Sequence, residues 1–246
     1  MEIITSKANS VIKKTRKLHQ KKHRVDSYLI EGWHLFEEAV AAGARMRRIF
    51  VTEKFASRVA HYPQAIQVTD EILKDLAESP SPQGIVVEVE RTVNPLPKVL
   101  AGRFLVLEDV QDPGNVGTLI RTADAAGYSG VIVSEKTADS YNLKTLRSMQ
   151  GSHFHLPIYR LPMQDFLTKV RQQEFPLIAT TLSQTSIDYR ALPKLSDFAL
   201  IVGNEGQGIS QEVADAATHL AHITMPGQAE SLNVAVAAGI VIFSLL

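Results

Sequence analysis

The chain has 246 residues, room for one large domain or two small ones, and its 45% hydrophobic and 21% charged content is ordinary for a globular protein. Lys+Arg and Asp+Glu both number 26, so net charge points to no class of partner. With no cysteine, disulfides, thiolate nucleophiles and cysteine-ligated zinc are excluded, which fits a reducing compartment. No apolar leader opens the sequence. The apolar C-terminal run "SLNVAVAAGIVIFSLL" is short for a membrane span and reads as a buried helix.

In chain order, residues 9–20 read as a basic helix and "SYLIEG" as a short strand. "HLFEEAVAAG" is helical and closes at Gly43, a good residue for a helix end. "RRIFVT" and "IQVT" are strands, and "DEILKDLAE" is a helix that Thr69 or Asp70 caps. "GIVVEVE" alternates as a half-buried strand would. Lys7, Lys13, Lys14, Arg16 and Lys17, with Lys21, Lys22 and Arg24 behind them, face only Glu2 before Asp26. Such a run is either a solvated helix face or a set of phosphate contacts. Trp33 has two open readings, stacking on a base or packing in the core. Around Pro95 and Pro97 periodicity fades, which sets a first domain at 1–92, a linker at 93–101 and a second domain at 102–246.

The second domain has a clearer rhythm. "FLVLED" is a strand and 115–127 a helix, "GVIVSE" a strand and 141–150 a helix. "FPLIATTL" and "DFALIVGNEG" are strands, "QEVADAATHL" a helix, "AHITM" a strand, and 231–246 the last helix. These strands are continuously apolar, as in a parallel sheet covered on both faces. His153 and His155 alternate on a strand-like segment and read as structural. Ligands of open α/β sheets bind beyond the carboxyl ends of strands. Three such ends carry Gly beside amide or carboxylate side chains: "EDVQDPGNVG", "GNEGQGIS" and "MPGQAESLN".

In the first loop, Pro113-Gly114 reads as a tight turn and Asn115 as a helix cap. Helical side chains lean toward the N-terminus, so Arg121 should run back over Gly117. Gly117 costs about 1 kcal/mol of helix propensity relative to Ala and leaves that path open. The plainer reading is a surface Arg paired with Asp124. In the second loop the glycines match neither a Walker loop nor GxGxxG. Glu205 there suits an amine, a ribose hydroxyl or a cationic cofactor better than phosphate. In the third, Ser231 or Glu230 caps the last helix, and Asn233 falls in its first turn. Ala235, Ala237, Ala238 and Gly239 form a small-residue surface open to close approach.

Together, NxxxxxR from Asn115 to Arg121, GNEGxG from Gly203 to Gly208 and MPGxxESLNVAVAAG from Met225 to Gly239 resemble three known motifs. They are those of the SpoU/TrmH class of RNA 2′-O-ribose methyltransferases, in the SPOUT superfamily. The resemblance covers 100–246. Residues 1–90 resemble the substrate-binding domain of the ribosomal-RNA-directed branch, an L30e/L7Ae-like α/β unit.

The resemblance implies an α/β fold whose parallel sheet carries a C-terminal deep trefoil knot, beside the small N-terminal α/β domain. It implies S-adenosylmethionine bound in the knotted loops, mainly by the backbone of Gly203, Ile223 and Leu232, with Thr180 and Met225 nearby. The family's catalytic Arg falls on Arg121 with Asn115 beside it; Glu205, Ser231 and Asn233 are its other polar positions. It implies a cytoplasmic homodimer joined through the last helix, each site completed across the interface, with no metal and no membrane. The substrate it favours is ribosomal RNA, with transfer RNA and a non-catalytic RNA-binding role as alternatives. The N-terminal lysines and arginines, with Arg121, would contact RNA. Arg121 is either the base or the group that steadies the developing charge. Thr224 departs from the family pattern, where many relatives have Pro, with little consequence expected.

Overall fold

The computed structural model describes all 246 residues, Met1–Leu246. Residues 1–93 form β1 (Glu2–Ile4), α1 (Ser10–Arg16), β2 (Ser27–Glu31), α2 (Trp33–Ala41), β3 (Met46–Thr52), β4 (Ala65–Val68), α3 (Asp70–Leu76) and β5 (Ile85–Glu90). The rest begins with β6 (Arg103–Leu107), α4 (Pro113–Ala125), β7 (Gly130–Val133), α5 (Leu143–Met149) and β8 (Ile158–Arg160). It continues with α6 (Met163–Gln172), β9 (Leu177–Thr180), β10 (Ile187–Asp188), β11 (Phe198–Val202), α7 (Gln211–Ala216), β12 (His219–His222) and α8 (Val234–Ser244). No helix is long and apolar enough to cross a membrane.

Contacts divide the chain into two units, Met1–Val93 with Tyr141–Phe154, and Asn94–Ser140 with His155–Leu246. In the first, a five-stranded sheet runs β1-β4-β3-β5-β2. β1, β4 and β3 pair in parallel, and β5 runs antiparallel to both β3 and β2. The sequence alone places 141–154 with the second domain, yet this stretch packs in the first unit. The reason is apolar and aromatic burial: Leu143, Leu146 and Met149 are buried, and Tyr141 stacks on Tyr28 at 4.6 Å between ring centroids. His153 does not lie on a strand. It sits in a 3-10 turn, Ser152–Phe154, with Nε2 3.0 Å from the Tyr28 hydroxyl.

Two other expectations change in this unit. The basic helix stops at Arg16 and gives way to 3-10 turns over Lys17–His19 and Lys21–His23. Arg24, which is buried, donates to the carbonyls of Leu18 and His19 in the first of these turns. β5 does not alternate, because residues 85–89 are buried on both faces. Its one interior charge, Glu88, accepts from Ser27 Oγ at 2.8 Å and from Arg48. β1 carries no periodicity long enough to read in advance.

The second unit is a seven-stranded sheet in the order β10-β12-β9-β11-β6-β7-β8, every pair parallel. One face buries Phe104, Val106, Ile132, Leu177, Ala199 and Ile201 against Phe166 and Leu167 of α6. Leu105, Leu107, Leu200 and Val202 alternate with these and are as deeply buried, so both faces are covered and the strands read as unbroken apolar runs. β8, α6 and β10 were not legible as elements. The chain ends of β6, β9, β11 and β12 lie on one edge, and the three motif loops leave from it.

Candidate active site

The first motif loop leaves β6 through a bend. Asp109 has φ +56°, a conformation that non-glycine residues rarely adopt. Ser134 holds it there, since the Asp109 N–H donates to Ser134 Oγ at 2.9 Å and Ser134 Oγ donates to Asp109 Oδ1 at 2.6 Å. α4 then starts earlier than the sequence suggests. Pro113 is its first residue and Asp112, not Asn115, is the cap, accepting from the Asn115 N–H at 2.9 Å. Pro113-Gly114 is therefore helix rather than turn. The change matters, because it frees the Asn115 side chain for other bonds.

The second loop is closed by its own backbone. Asn204 and Gly208 exchange N–H···O bonds at 2.9 Å in both directions, and Asn204 Oδ1 accepts from the N–H groups of Gly206 and Gln207. Asn204 Nδ2 donates to the Asp109 carbonyl at 2.9 Å, tying the second loop to the first. Ser210 caps α7, and its own N–H donates to the buried Glu108 carboxylate at 2.8 Å. Glu205 Oε2 accepts from the Gln111 N–H, and Oε1 from the Asp112 N–H and Asn115 Nδ2, each at 3.0 Å. Burial works to raise the Glu205 carboxyl, but the donors from Gln111, Asn115 and Asp112 outweigh it and hold the group below its ordinary value.

The third loop ends in the cap of α8. That cap is Asn233, neither Ser231 nor Glu230, and the helix starts at Val234. Asn233 Oδ1 accepts from the Ala235 and Val236 N–H groups while Nδ2 donates to Asn115 Oδ1 at 3.0 Å. Glu205, Asn115 and Asn233, far apart in sequence, thus form one hydrogen-bonded chain. Thr224 is also engaged: its hydroxyl donates to Asp188 Oδ2. Hydrogen bonds from Arg190 and Thr224 hold Asp188 well below the usual carboxylate range.

Beside this chain lies a cavity of about 410 Å³. Thr180, Gly203, Ile223, Met225 and Leu232 all line it, as do Glu205, Ser231 and Asn233. Gly203 is there for its own loop: a Cβ would come within 2.2 Å of the Gly208 backbone. Arg121 does not line the cavity. It is exposed on α4 and makes no hydrogen bond or ion pair, while Asp124, its expected partner, lies 3.3 Å from His155 Nδ1. Asn204, Asp109 and Gln111 escaped sequence reading. The Asn-Glu-Gly string was a usable signal for Asn204, since Asn commonly bonds backbone N–H groups two or three residues on.

The cavity suits S-adenosylmethionine. Its volume is in the range of small-molecule sites, its walls are largely apolar, and its only ionisable lining side chains are Glu205 and His222. No Lys or Arg is present to repel a cationic sulfonium.

Among the N-terminal basic residues the structure makes a division. Lys7 pairs with Glu71 at 2.9 Å, Arg16 with Asp75 at 3.0 Å, and Arg24 is internal. Lys13, Lys14 and Lys17 have no side-chain partner and line a groove with His23 and Arg47. Trp33 is committed to its unit: Nε1 donates to the Gln83 carbonyl at 2.9 Å and the Arg58 guanidinium covers the ring at 3.6 Å. One face of the ring is thus occupied within the unit.

Residues 9–87 match the model of an MRM3-like substrate binding domain. The chain is 38% identical to the 23S rRNA (guanosine(2553)-2'-O)-methyltransferase RlmP of Bacillus subtilis, across 100% of this chain and 99% of that protein. It superposes on an AdoMet-bound rRNA methyltransferase from Sinorhizobium meliloti with a TM-score of 0.89 at 34% identity, covering 99% of this chain and 97% of that one. A third relative is the SpoU methyltransferase AviRb from Streptomyces viridochromogenes in complex with AdoMet, with a TM-score of 0.84 and 26% identity over 96% of this chain and 97% of that one. Residues 102–243, more than half of the chain, match the model of the SpoU rRNA Methylase family, and the chain belongs to that family.

Proposed function

We propose that this protein transfers a methyl group from S-adenosylmethionine to a ribose 2′-hydroxyl of RNA, with 23S ribosomal RNA as the favoured substrate. The observation that carries this reading is the Glu205–Asn115–Asn233 chain at the wall of the cavity, joining all three motif loops. Thr180, Gly203, Ile223, Met225 and Leu232 would hold the cofactor. Bound there, S-adenosylmethionine supplies an electrophilic methyl group on a cationic sulfur. Family membership and the sequence likeness to RlmP support the substrate class.

The chain's own residues divide the remaining work. Glu205 is a poor proton acceptor, because its oxygens are occupied and its pKa is depressed, whereas a base works best near the operating pH. Its role is to fix Asn115 and the start of α4. Ser231 lines the cavity with an unpartnered hydroxyl that can meet the ribose. Arg121, exposed and unpaired, orients the RNA phosphate and stabilises the developing alkoxide. A guanidinium is too weak an acid to give up its proton and act as a base near neutral pH, so the hydroxyl proton passes to phosphate or water.

A homodimer belongs to the same reading. α8 packs on α4 and leaves Val236, Ile240 and Phe243 exposed at 54%, 36% and 52% in one helical stripe. A second copy on that stripe would bring Arg121 of one protomer to the cavity of the other. The deep trefoil knot and the L30e-like ancestry of the first unit are also part of the proposal, supported by family membership and by the substrate-domain match. A cytoplasmic location accords with an RNA substrate.

Tritium-methyl labelling of total RNA from a deletion strain, with 23S ribosomal and transfer RNA then separated, tests the core of this. One labelled 2′-O-methyl nucleotide is expected; label only in transfer RNA, or none, overturns it. The groove in the first unit has its own test. Replacing Lys13, Lys14 and Lys17 by Ala should lower the slope of log K against log salt by about 2 for RNA while cofactor affinity holds. An unchanged slope removes them from the RNA interface.

A further inference from the structure

The segment Ser134–Ala138 follows β7 and belongs to none of the three motifs, yet the first motif loop hangs on it. Besides the Ser134–Asp109 bonds, Gln111 Nε2 donates to the Lys136 carbonyl at 2.9 Å, and the Ala138 N–H donates to the Val110 carbonyl at 2.9 Å. Thr137 Oγ1 lies 2.9 Å from Ser134 Oγ and donates to the Leu107 carbonyl at 2.9 Å. This segment has no helix or strand bonding of its own. Its shape comes from Arg160, the last residue of β8. Arg160 Nη1 donates to the carbonyls of Ser134 (2.8 Å), Glu135 (3.1 Å) and Thr137 (2.9 Å), and Nη2 to that of Ala138 (2.7 Å).

A left-handed bend at a non-glycine residue persists only where its surroundings hold it. Here the holding group is remote in sequence and has a specific chemistry. A planar guanidinium presents several donors in a fixed fork, so one side chain gathers four carbonyls. From Asp109 the connection continues to the reaction site: the Asp109 carbonyl accepts from Asn204, and the Gln111 N–H donates to Glu205.

We propose that Arg160 is a positioning residue for methyl transfer: its guanidinium shapes Ser134–Ala138, and that segment fixes the bend at Asp109 that brings Gln111 and Asn115 to Glu205. The proposal rests on the methyltransferase reading above for its kinetic consequence, and on the hydrogen bonds alone for its structural one.

Arg160→Lys keeps the charge and the stem but loses the fork. The expected result is a fall in kcat of about ten- to a hundredfold from misplacement of the site, with the KM for S-adenosylmethionine within about twofold of the unaltered protein. An unchanged kcat, or a loss shared equally with cofactor affinity, overturns the proposal. A second reading uses cofactor-free protein: amide exchange should accelerate at Asp109, Gln111 and Ala138 in Arg160→Lys and stay the same in β11. Unchanged exchange at those three amides overturns it too. Ser134→Ala supplies a further arm. If Arg160 acts through this segment, the double variant Ser134→Ala/Arg160→Lys loses no more exchange protection or turnover than the worse single variant, whereas additive losses refute the route. Should the unaltered protein fail to methylate RNA, the functional reading falls, and amide exchange still decides the role of Arg160.

Discussion

The cavity has two unlike walls. One, built from Gly203, Asn204, Glu205 and Gly208 and backed by 108–112, is dense with hydrogen bonds: Asn204 makes bonds to Asp109, Gly206, Gln207 and Gly208, and Glu205 accepts three. The other, 225–232, makes no hydrogen bond at all within the chain, although it is pinned at its ends by Thr224 to Asp188 and by Asn233 to Asn115. The difference teaches where order is built in and where it is left to binding. Donors that must be in place during reaction gain from being fixed beforehand, since they then need no reorganisation. A wall that mainly covers a ligand can stay loose and acquire its shape on contact, at a cost in affinity for the ordering.

The sharpest way to break this contrast is Gly203→Ala. The added Cβ would lie 2.2 Å from the carbonyl carbon and oxygen of Gly208 and 2.4 Å from Ile209 N, all backbone atoms. The Asn204–Gly208 bonds cannot survive that shift. A loss of about 2–4 kcal/mol in urea unfolding is expected, with no measurable S-adenosylmethionine binding by calorimetry. Near-normal stability would mean that the dense wall yields as easily as the loose one.

Glu205→Gln is a milder intervention on the same wall, because the amide keeps the shape but can oppose its nitrogen to the N–H donors of Gln111 and Asp112. Turnover should drop by about tenfold, again through misplacement. Its pH signature has a definite sign. The folded pKa of Glu205 lies below the ordinary 4.5, so its contribution to stability is fully present above that value and is lost as pH falls through the folded pKa. Glu205→Gln has no such contribution to lose, and the two acid-unfolding curves should converge below pH 4.5. Parallel curves would show that the carboxylate is not held by its donors.

Much of the dense wall was legible before the structure, and the errors are instructive. The strands feeding it announce themselves as apolar runs because both sheet faces are covered, as at Phe104–Leu107 and Phe198–Val202. The cap of α4 lies three residues before the one expected although the signal is present: in Asp-Pro-Gly-Asn, the Pro marks the first helical position and so selects Asp112 as the cap. Three cap-type residues crowd the start of α8; Asn233 is the one that caps it, and its amide also reaches Asn115 from a distant stretch of the chain, which the local pattern does not reveal. The bend at Asp109 was beyond reach, because its supports, Ser134 and Asn204, come from later crossings of the sheet. For the same reason the packing of 141–154 was invisible: periodicity says that a helix has an apolar face, not which unit receives it.

The loose wall calls for the smallest perturbation and the most selective readout. Leu232 lines the cavity but is still 38% exposed, and neither it nor its neighbours from Met225 onward hold the loop by hydrogen bonds. Its side chain therefore stabilises the free protein little, and would gain burial only against a ligand. Leu232→Ala should leave Tm nearly unchanged while costing about 1 kcal/mol of cofactor binding, roughly fivefold in Kd, by calorimetry. The same substitution at a buried leucine of the sheet, Leu200, removes a side chain with no exposure and should cost about 2–5 kcal/mol of stability. If Leu232→Ala instead lowers Tm as Leu200→Ala does, the loop is already packed in the free protein and the two walls are alike. If it weakens binding alone, this part of the pocket takes its order from what it binds.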